Sequence, residues 1–101
     1  MKQLVTVTEL KLTPSKNDLP MVSITFTPVQ EETPIIFNQI ITHSFQLSIV
    51  NELLKMFDTD CDIKFESYRQ YNELLENIYD SVKGITYNLI TENSTYYVNA
   101  A

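Results

Sequence analysis

The chain contains very little of the residue types on which several classes of site depend. Its 101 residues include one glycine, one cysteine (Cys61), one histidine (His43) and no tryptophan. A single glycine excludes the glycine-rich loops that bind phosphate groups, and a single cysteine excludes an internal disulfide. A zinc site needs about four ligands, more than these two side chains supply. With no convergent acid, base and nucleophile in the sequence, we expect no enzyme activity, no cofactor and no metal site.

Basic residues are also scarce. Seven Lys and Arg against thirteen Asp and Glu give a net charge of −6 and a pI near 4.5. This balance argues against long-range attraction to nucleic acid, because nucleic acid is attracted by a basic patch on a protein. Individual lysines can still act on a phosphate at short range. The carboxylates are concentrated in residues 58–80, which suit a basic protein partner.

Long apolar runs are absent. No run approaches the roughly 18 residues of a membrane-spanning helix, and the N-terminus lacks the apolar region of a signal peptide. One unpaired cysteine is typical of a reducing compartment. The length and the 44% apolar content indicate a single globular domain, residues 1–101, which we expect to be cytoplasmic.

Three segments near the N-terminus have the alternation of β-strands. In "QLVTVTELKLT" the apolar phase changes between Val7 and Leu10, which predicts a bulge near Thr8-Glu9. In "MVSITFTPV" the apolar residues Val22, Ile24 and Phe26 alternate with Ser23, Thr25 and Thr27, so we expect a core face and an open polar face. "IIFNQII" predicts the third strand.

Two helices follow. Apolar residues from Phe45 to Phe57 recur at helical spacing, with Thr42 or Ser44 as the expected N-cap. Ser67 and Gln70 form an S-x-x-Q capping box for the second helix, and Gly84 fits the position just after its end. "CDIKF" between the helices indicates a short strand or an extended linker. "ITYNLIT" and "TYYVNA" predict a closing hairpin.

This order predicts an α+β domain with two helices inserted between strands three and four. The order of the strands and helices matches that of a five-stranded antiparallel OB-like barrel or strongly coiled sheet. A plain antiparallel sheet with both helices on one face is the alternative.

One short segment begins like a calcium-binding loop, with Asp58, Asp60 and Asp62 at alternate positions. The loop also requires a Gly and a Glu, and Ile63 and Arg69 stand at those two positions. We therefore expect a solvated linker and no calcium site.

Three motifs resemble the domain-of-unknown-function 669 family of small phage proteins. They are the turn from Ser15-Lys16 to Pro20-Met21, the strand Phe37-Asn38-Gln39-Ile40, and the series Phe65, Tyr68, Tyr71 and Leu74. The resemblance extends over residues 8–98. It implies a single-stranded-DNA-binding or recombination-associated protein. It also implies that the third strand exits into a helix that plugs one end of the barrel, leaving one sheet face open to DNA.

On this hypothesis we expect phosphate contacts from lysines and base stacking on tyrosines. The expected contact residues are Lys11, Lys16, Ser23, Thr25, Asn38, Tyr87 and Tyr96. Tyr96 and Tyr97 are adjacent, so one of them must face outward on a strand. The alternative function is an acidic protein-binding module, such as a phage inhibitor of a host nuclease or defence complex. Exposed edge strands would also permit a homodimer through β-pairing.

Overall fold

The computed structural model describes all 101 residues. The elements are β1 (Lys2–Pro14), β2 (Pro20–Pro28), β3 (Ile35–Ile40), α1 (Ser44–Lys55), α2 (Tyr68–Val82), β4 (Thr86–Glu92) and β5 (Thr95–Ala100). The protein is therefore an α+β domain with five strands and two helices, in the expected order. Residues 61–65, expected as a short strand or a linker, form neither helix nor strand. Neither helix is long and apolar enough to span a membrane.

All five strands form one antiparallel sheet in the order β3-β2-β1-β4-β5. The central strand, β1, pairs with β2 on one side and with β4 on the other, so the closing hairpin joins the first three strands. The edge strands β3 and β5 share no hydrogen-bonded ladder. The sheet is therefore open, and closure into a barrel is not observed.

A bulge at Thr8 lets the long strand β1 keep its apolar side chains on one face. Val7 pairs with Phe26 and Glu9 pairs with Thr25, which leaves Thr8 as the extra residue. The Thr8 hydroxyl lies 2.8 Å from the hydroxyl of Thr27. Because side chains alternate along a strand, one extra residue restores the phase. The bulge predicted from the change of apolar phase is confirmed.

Both helices cover the same side of the sheet, which we call the core face. Helix α1 packs across the edge strands β3 and β5, while α2 packs against β1. Phe57, just after α1, contacts Phe26 of β2 and Tyr87 of β4, with ring centroids 6.3 and 5.2 Å apart. The buried hydroxyl of Tyr71 in α2 donates to Asn51 Oδ1 in α1 at 2.5 Å. Aromatic packing and this hydrogen bond join the helices to each other and to the sheet.

The start of α1 differs from the prediction. Its N-cap is His43 rather than Thr42 or Ser44, and Gln46 Oε1 accepts from the backbone N–H groups of Thr42 and His43 at 3.0 Å. The side chain of Gln46 thus supplies the reciprocal half of a capping box, because it accepts from the N-cap N–H and not from an N–H group of the first turn. The apolar stripe is also only partly buried, because the Phe45 side chain is 65% exposed.

The ends of α2 follow the sequence signals more closely. Ser67 Oγ accepts from the Gln70 N–H at 3.0 Å, but the side-chain Oε1 of Gln70 accepts from the backbone N–H of Glu66 rather than from that of Ser67. Half of the expected capping box is therefore present. Gly84 follows the C-cap Lys83 with φ +79°, the left-handed conformation that glycine adopts most easily.

Candidate nucleic-acid interface

The side of the sheet opposite the core face carries no helix, and we call it the helix-free face. Along each strand, the residues of this face alternate with the buried residues of the core face. The alternation of polar and apolar residues in the sequence therefore indicates which residues belong to it. Most of its side chains are exposed or half-buried. The face includes Lys2, Leu4, Thr6, Glu9, Lys11, Thr25, Thr27, Ile36, Asn38, Asn88, Ile90, Tyr97 and Asn99.

Four of the expected contact residues lie together on this face. The strand register places Lys11 opposite Ser23, and Ser23 opposite Asn38, so the three form one row across β1, β2 and β3. Thr25 lies in the next row, between Glu9 and Ile36. Directly opposite side chains on neighbouring strands have Cβ atoms about 5 Å apart. The sheet therefore assembles an ammonium group, hydroxyl groups and a carboxamide within one patch.

The ammonium group of Lys11 is engaged within the patch. Its Nζ lies 2.5 Å from Glu9 Oε1, and the Thr25 hydroxyl donates to Glu9 Oε2 at 3.4 Å. The hydrogen bond from Lys11 holds the pKa of the Glu9 carboxyl below its usual value. A phosphate that binds Lys11 would have to compete with this carboxylate.

Lys16 lies at the corner of the face, in the turn that joins β1 to β2, and it is exposed. Ser15 holds the turn, because its hydroxyl accepts from the N–H groups of Asn17 and Leu19. Asp18 adopts φ +62° within the same turn. No carboxylate lies within 4.0 Å of the Lys16 ammonium.

Three of the expected contact residues are not placed as the hypothesis requires. Ser23 points to the helix-free face but is only 7% exposed, since its short side chain lies between the longer Lys11 and Asn38. Tyr87 is on the core face and 5% exposed, against Phe57, and burial raises its pKa. Tyr96 also points to the core face, where it packs on Phe26 and Phe37. Neither tyrosine offers a free ring to a base.

Tyr97 is the outward-facing tyrosine of the closing hairpin, and its side chain is 43% exposed. The sequence contained the signal for this arrangement. Val98 is the only branched aliphatic residue of β5 and is buried, so Tyr96, two residues earlier, shares its face. Tyr87 shares the face of Leu89 by the same rule. The prediction that Tyr96 faces outward is therefore wrong, and Tyr97 takes that position.

Most basic side chains of the molecule are paired with carboxylates. Of the seven Lys and Arg residues, five lie within 4.0 Å of an Asp or Glu: Lys11, Lys55, Lys64, Arg69 and Lys83. Only Lys2 and Lys16 have no such partner, and Lys2 is on the helix-free face. Within the acidic segment 58–80, Lys64 pairs with Asp62 and Glu66, so part of the negative charge is neutralised locally.

A second surface feature lies between α1 and the two sheet edges. A cleft of about 460 Å³ is bordered by Phe37 and Tyr96 from the strands and by Ile49, Leu53 and Met56 from the helix. Ile49 is 47% exposed beside it. This cleft exists because α1 crosses the gap between β3 and β5 without filling it.

The structure brings no three of its His, Cys, Asp and Glu side chains together in a group that could hold a metal ion. Comparison with known proteins found no match among family models, curated proteins or solved structures.

Proposed function

We propose that the protein is a non-catalytic single-stranded-DNA-binding accessory of phage-type replication or recombination, acting in the host cytoplasm. The observation that supports this proposal best is the helix-free face. There Lys11, Thr25 and Asn38 occupy three adjacent strands, with Lys16 in the turn beside them. The three motifs that resemble the phage family point in the same direction.

The finer description of the fold belongs to the same proposal. OB-folds are partly open five-stranded barrels that bind oligonucleotides through the face of strands two and three and through two loops, one of which joins strands one and two. In this chain β2 and β3 carry Thr25 and Asn38, and Lys16 lies in the β1–β2 turn. The contact between Phe37 and Tyr96 supports a sheet that coils toward a barrel. We therefore propose an OB-like module that is incompletely closed.

The electrostatics predict weak, salt-sensitive binding. Each phosphate contact adds about 0.7 to the slope of log K against log salt for single strands, and few lysines are available on the face. Glu9 competes with phosphate for Lys11. Hydroxyl groups and amides supply the remaining contacts, which do not read sequence. Binding should therefore tolerate any sequence and be measurable only at low salt.

Fluorescence anisotropy with labelled oligo(dT) tests the proposal at low and at high salt. Lys16→Gln and Asn38→Ala should weaken binding, whereas Lys83→Gln, at the end of α2, should not. Glu9→Gln should strengthen binding, because it releases Lys11 from its ion pair. No binding at low salt, or binding that high salt leaves unchanged, would contradict the proposal.

The cleft beside α1 favours a second candidate, an acidic module that binds a protein partner. Its apolar border includes the exposed Ile49, and Glu52 lines it too. An apolar segment carrying Lys or Arg would fit this chemistry. Retention of a host protein after nuclease treatment, lost in Ile49→Lys and accompanied by no shift of DNA, would favour this candidate over DNA binding.

A further inference from the structure

The helix-free face carries a second group of side chains that a ligand could contact, far from Lys16. Lys2 of β1 pairs with Ile90 of β4, and Ile90 pairs with Tyr97 of β5, so the three side chains form a row across the other half of the sheet. One end of the row is a cation and the other an exposed aromatic ring, with a half-buried aliphatic side chain between them.

Both ends of this row are available to a ligand. Lys2 is exposed and has no carboxylate within 4.0 Å, although Glu31 borders the same shallow cleft. The Tyr97 ring takes part in none of the aromatic pairs of the molecule. Beside it on the same face, the Asn99 amide is fixed by a 3.0 Å hydrogen bond from Asn88. Phe45 is also exposed, but it stacks on His43 at the start of α1, away from this face.

We propose that Tyr97 is the base-stacking residue of the protein and that Lys2 binds the adjoining phosphate, which makes this corner the second end of a single-stranded DNA site. The proposal rests on the proposed function above, and it gives that function the aromatic contact that Tyr87 and Tyr96 do not supply. Neighbouring strands are about 4.8 Å apart, so Lys2 and Tyr97 are separated by roughly 10 Å at the backbone. That separation lets one short stretch of DNA meet both side chains.

The two ends of the site fit one continuous strand of DNA. Lys2 and Lys11 both lie on β1, and nine residues at about 3.3 Å each place them roughly 30 Å apart. Thr6 and Thr27 lie opposite each other between them on the same face. OB-folds bind about 4–16 nucleotides, a range that suits a path from the Lys16 turn to Tyr97.

The first test compares aromatic variants in the oligo(dT) anisotropy assay at low salt. Tyr97→Ala should weaken binding roughly 5- to 140-fold, as loss of one stacked base does. Tyr97→Phe should retain wild-type affinity, because the ring remains. Phe45→Ala is the matched control, since it removes an exposed aromatic ring elsewhere and should leave binding unchanged. Circular dichroism melts would verify that each variant folds.

The second test examines the cation and the position of the base. Lys2→Gln should lower the salt slope by about 0.7, whereas Lys83→Gln should not change it. Oligonucleotides that carry 5-iodo-deoxyuridine crosslink to stacked aromatic rings on irradiation, and mass spectrometry should locate the crosslink at Tyr97.

The outcomes separate this inference from the function on which it rests. If the wild-type protein binds DNA and Lys16→Gln weakens binding, but Tyr97→Ala binds as the wild type does, the stacking assignment is overturned and the proposed function stands. A crosslink at Tyr68 or Phe45 in place of Tyr97 has the same meaning. Absence of wild-type binding at low salt overturns both.

Discussion

The rings of Phe37 and Tyr96 lie 5.4 Å apart between centroids, although their strands, β3 and β5, share no backbone ladder. Tyr96 also packs on Phe26 of β2, at 6.4 Å. The two edges of the open sheet are therefore joined by aromatic side chains rather than by hydrogen bonds. Both rings lie on the core face, so this contact is made on the side of the sheet that the helices cover.

Removal of the Tyr96 ring should destabilise the fold. Tyr96→Ala should lower the free energy of unfolding by roughly 2–4 kcal/mol, because a large ring leaves a partly buried site. Tyr96→Phe should cost less than about 1.5 kcal/mol, since the shape of the ring is conserved. A double-mutant cycle with Phe37 in urea denaturation should give a coupling of about 0.5–1.5 kcal/mol. Zero coupling would mean that the two edges do not meet in solution.

The sequence predicts the strands and helices well where the pattern is local. Val22, Ile24 and Phe26 alternate with polar residues, and β2 buries those three side chains. The change of phase between Val7 and Leu10 predicts the bulge for the same reason. These features depend on neighbours along one strand, so the sequence alone determines them.

The parts that the sequence does not predict depend on distant pairs. Whether β3 meets β5 is decided by the curvature of the whole sheet, and no single segment carries that information. The exposure of Ser23 depends on the length of Lys11 and Asn38, which reach it only through the strand register. Phe45 is exposed because α1 crosses the sheet edge, so its apolar stripe extends beyond the surface that can cover it.

Deletion of Thr8 should remove the bulge and leave the core face of β1 intact. One residue would then separate Val7 from Leu10, so regular alternation keeps both side chains on the core face. We expect a loss of about 1 kcal/mol, for the hydrogen bond that the Thr8 hydroxyl makes. Deletion of Thr6 should cost more than about 4 kcal/mol, because Val5 and Val7 would become adjacent and one of these buried side chains would leave the core face. Equal melting temperatures of the two variants, measured by circular dichroism, would contradict this account of the bulge.

Gly84→Ala should destabilise the end of α2 by about 1 kcal/mol. The residue has φ +79°, and a Cβ there would meet nothing within 4 Å. The cost therefore comes from the left-handed backbone alone. Gly84→Asn should cost less, because asparagine tolerates this conformation better. Urea midpoints measure both changes, and an alanine variant as stable as the wild type would indicate that the helix end adopts another conformation.

Stability should fall at alkaline pH because of Tyr71. Burial raises the pKa of its hydroxyl above the ordinary 10.0, so above that pH the unfolded chain releases a proton that the folded chain retains. Stability is then complete below pH 10.0 and falls by up to about 1.4 kcal/mol per pH unit above it. Tyr71→Phe should reduce this slope while losing about 1 kcal/mol at neutral pH, since Asn51 loses its donor. Urea midpoints across the alkaline range provide the measurement, with Tyr96→Phe as a tyrosine control outside this hydrogen bond. A slope that Tyr71→Phe leaves unchanged would assign the alkaline loss to other groups.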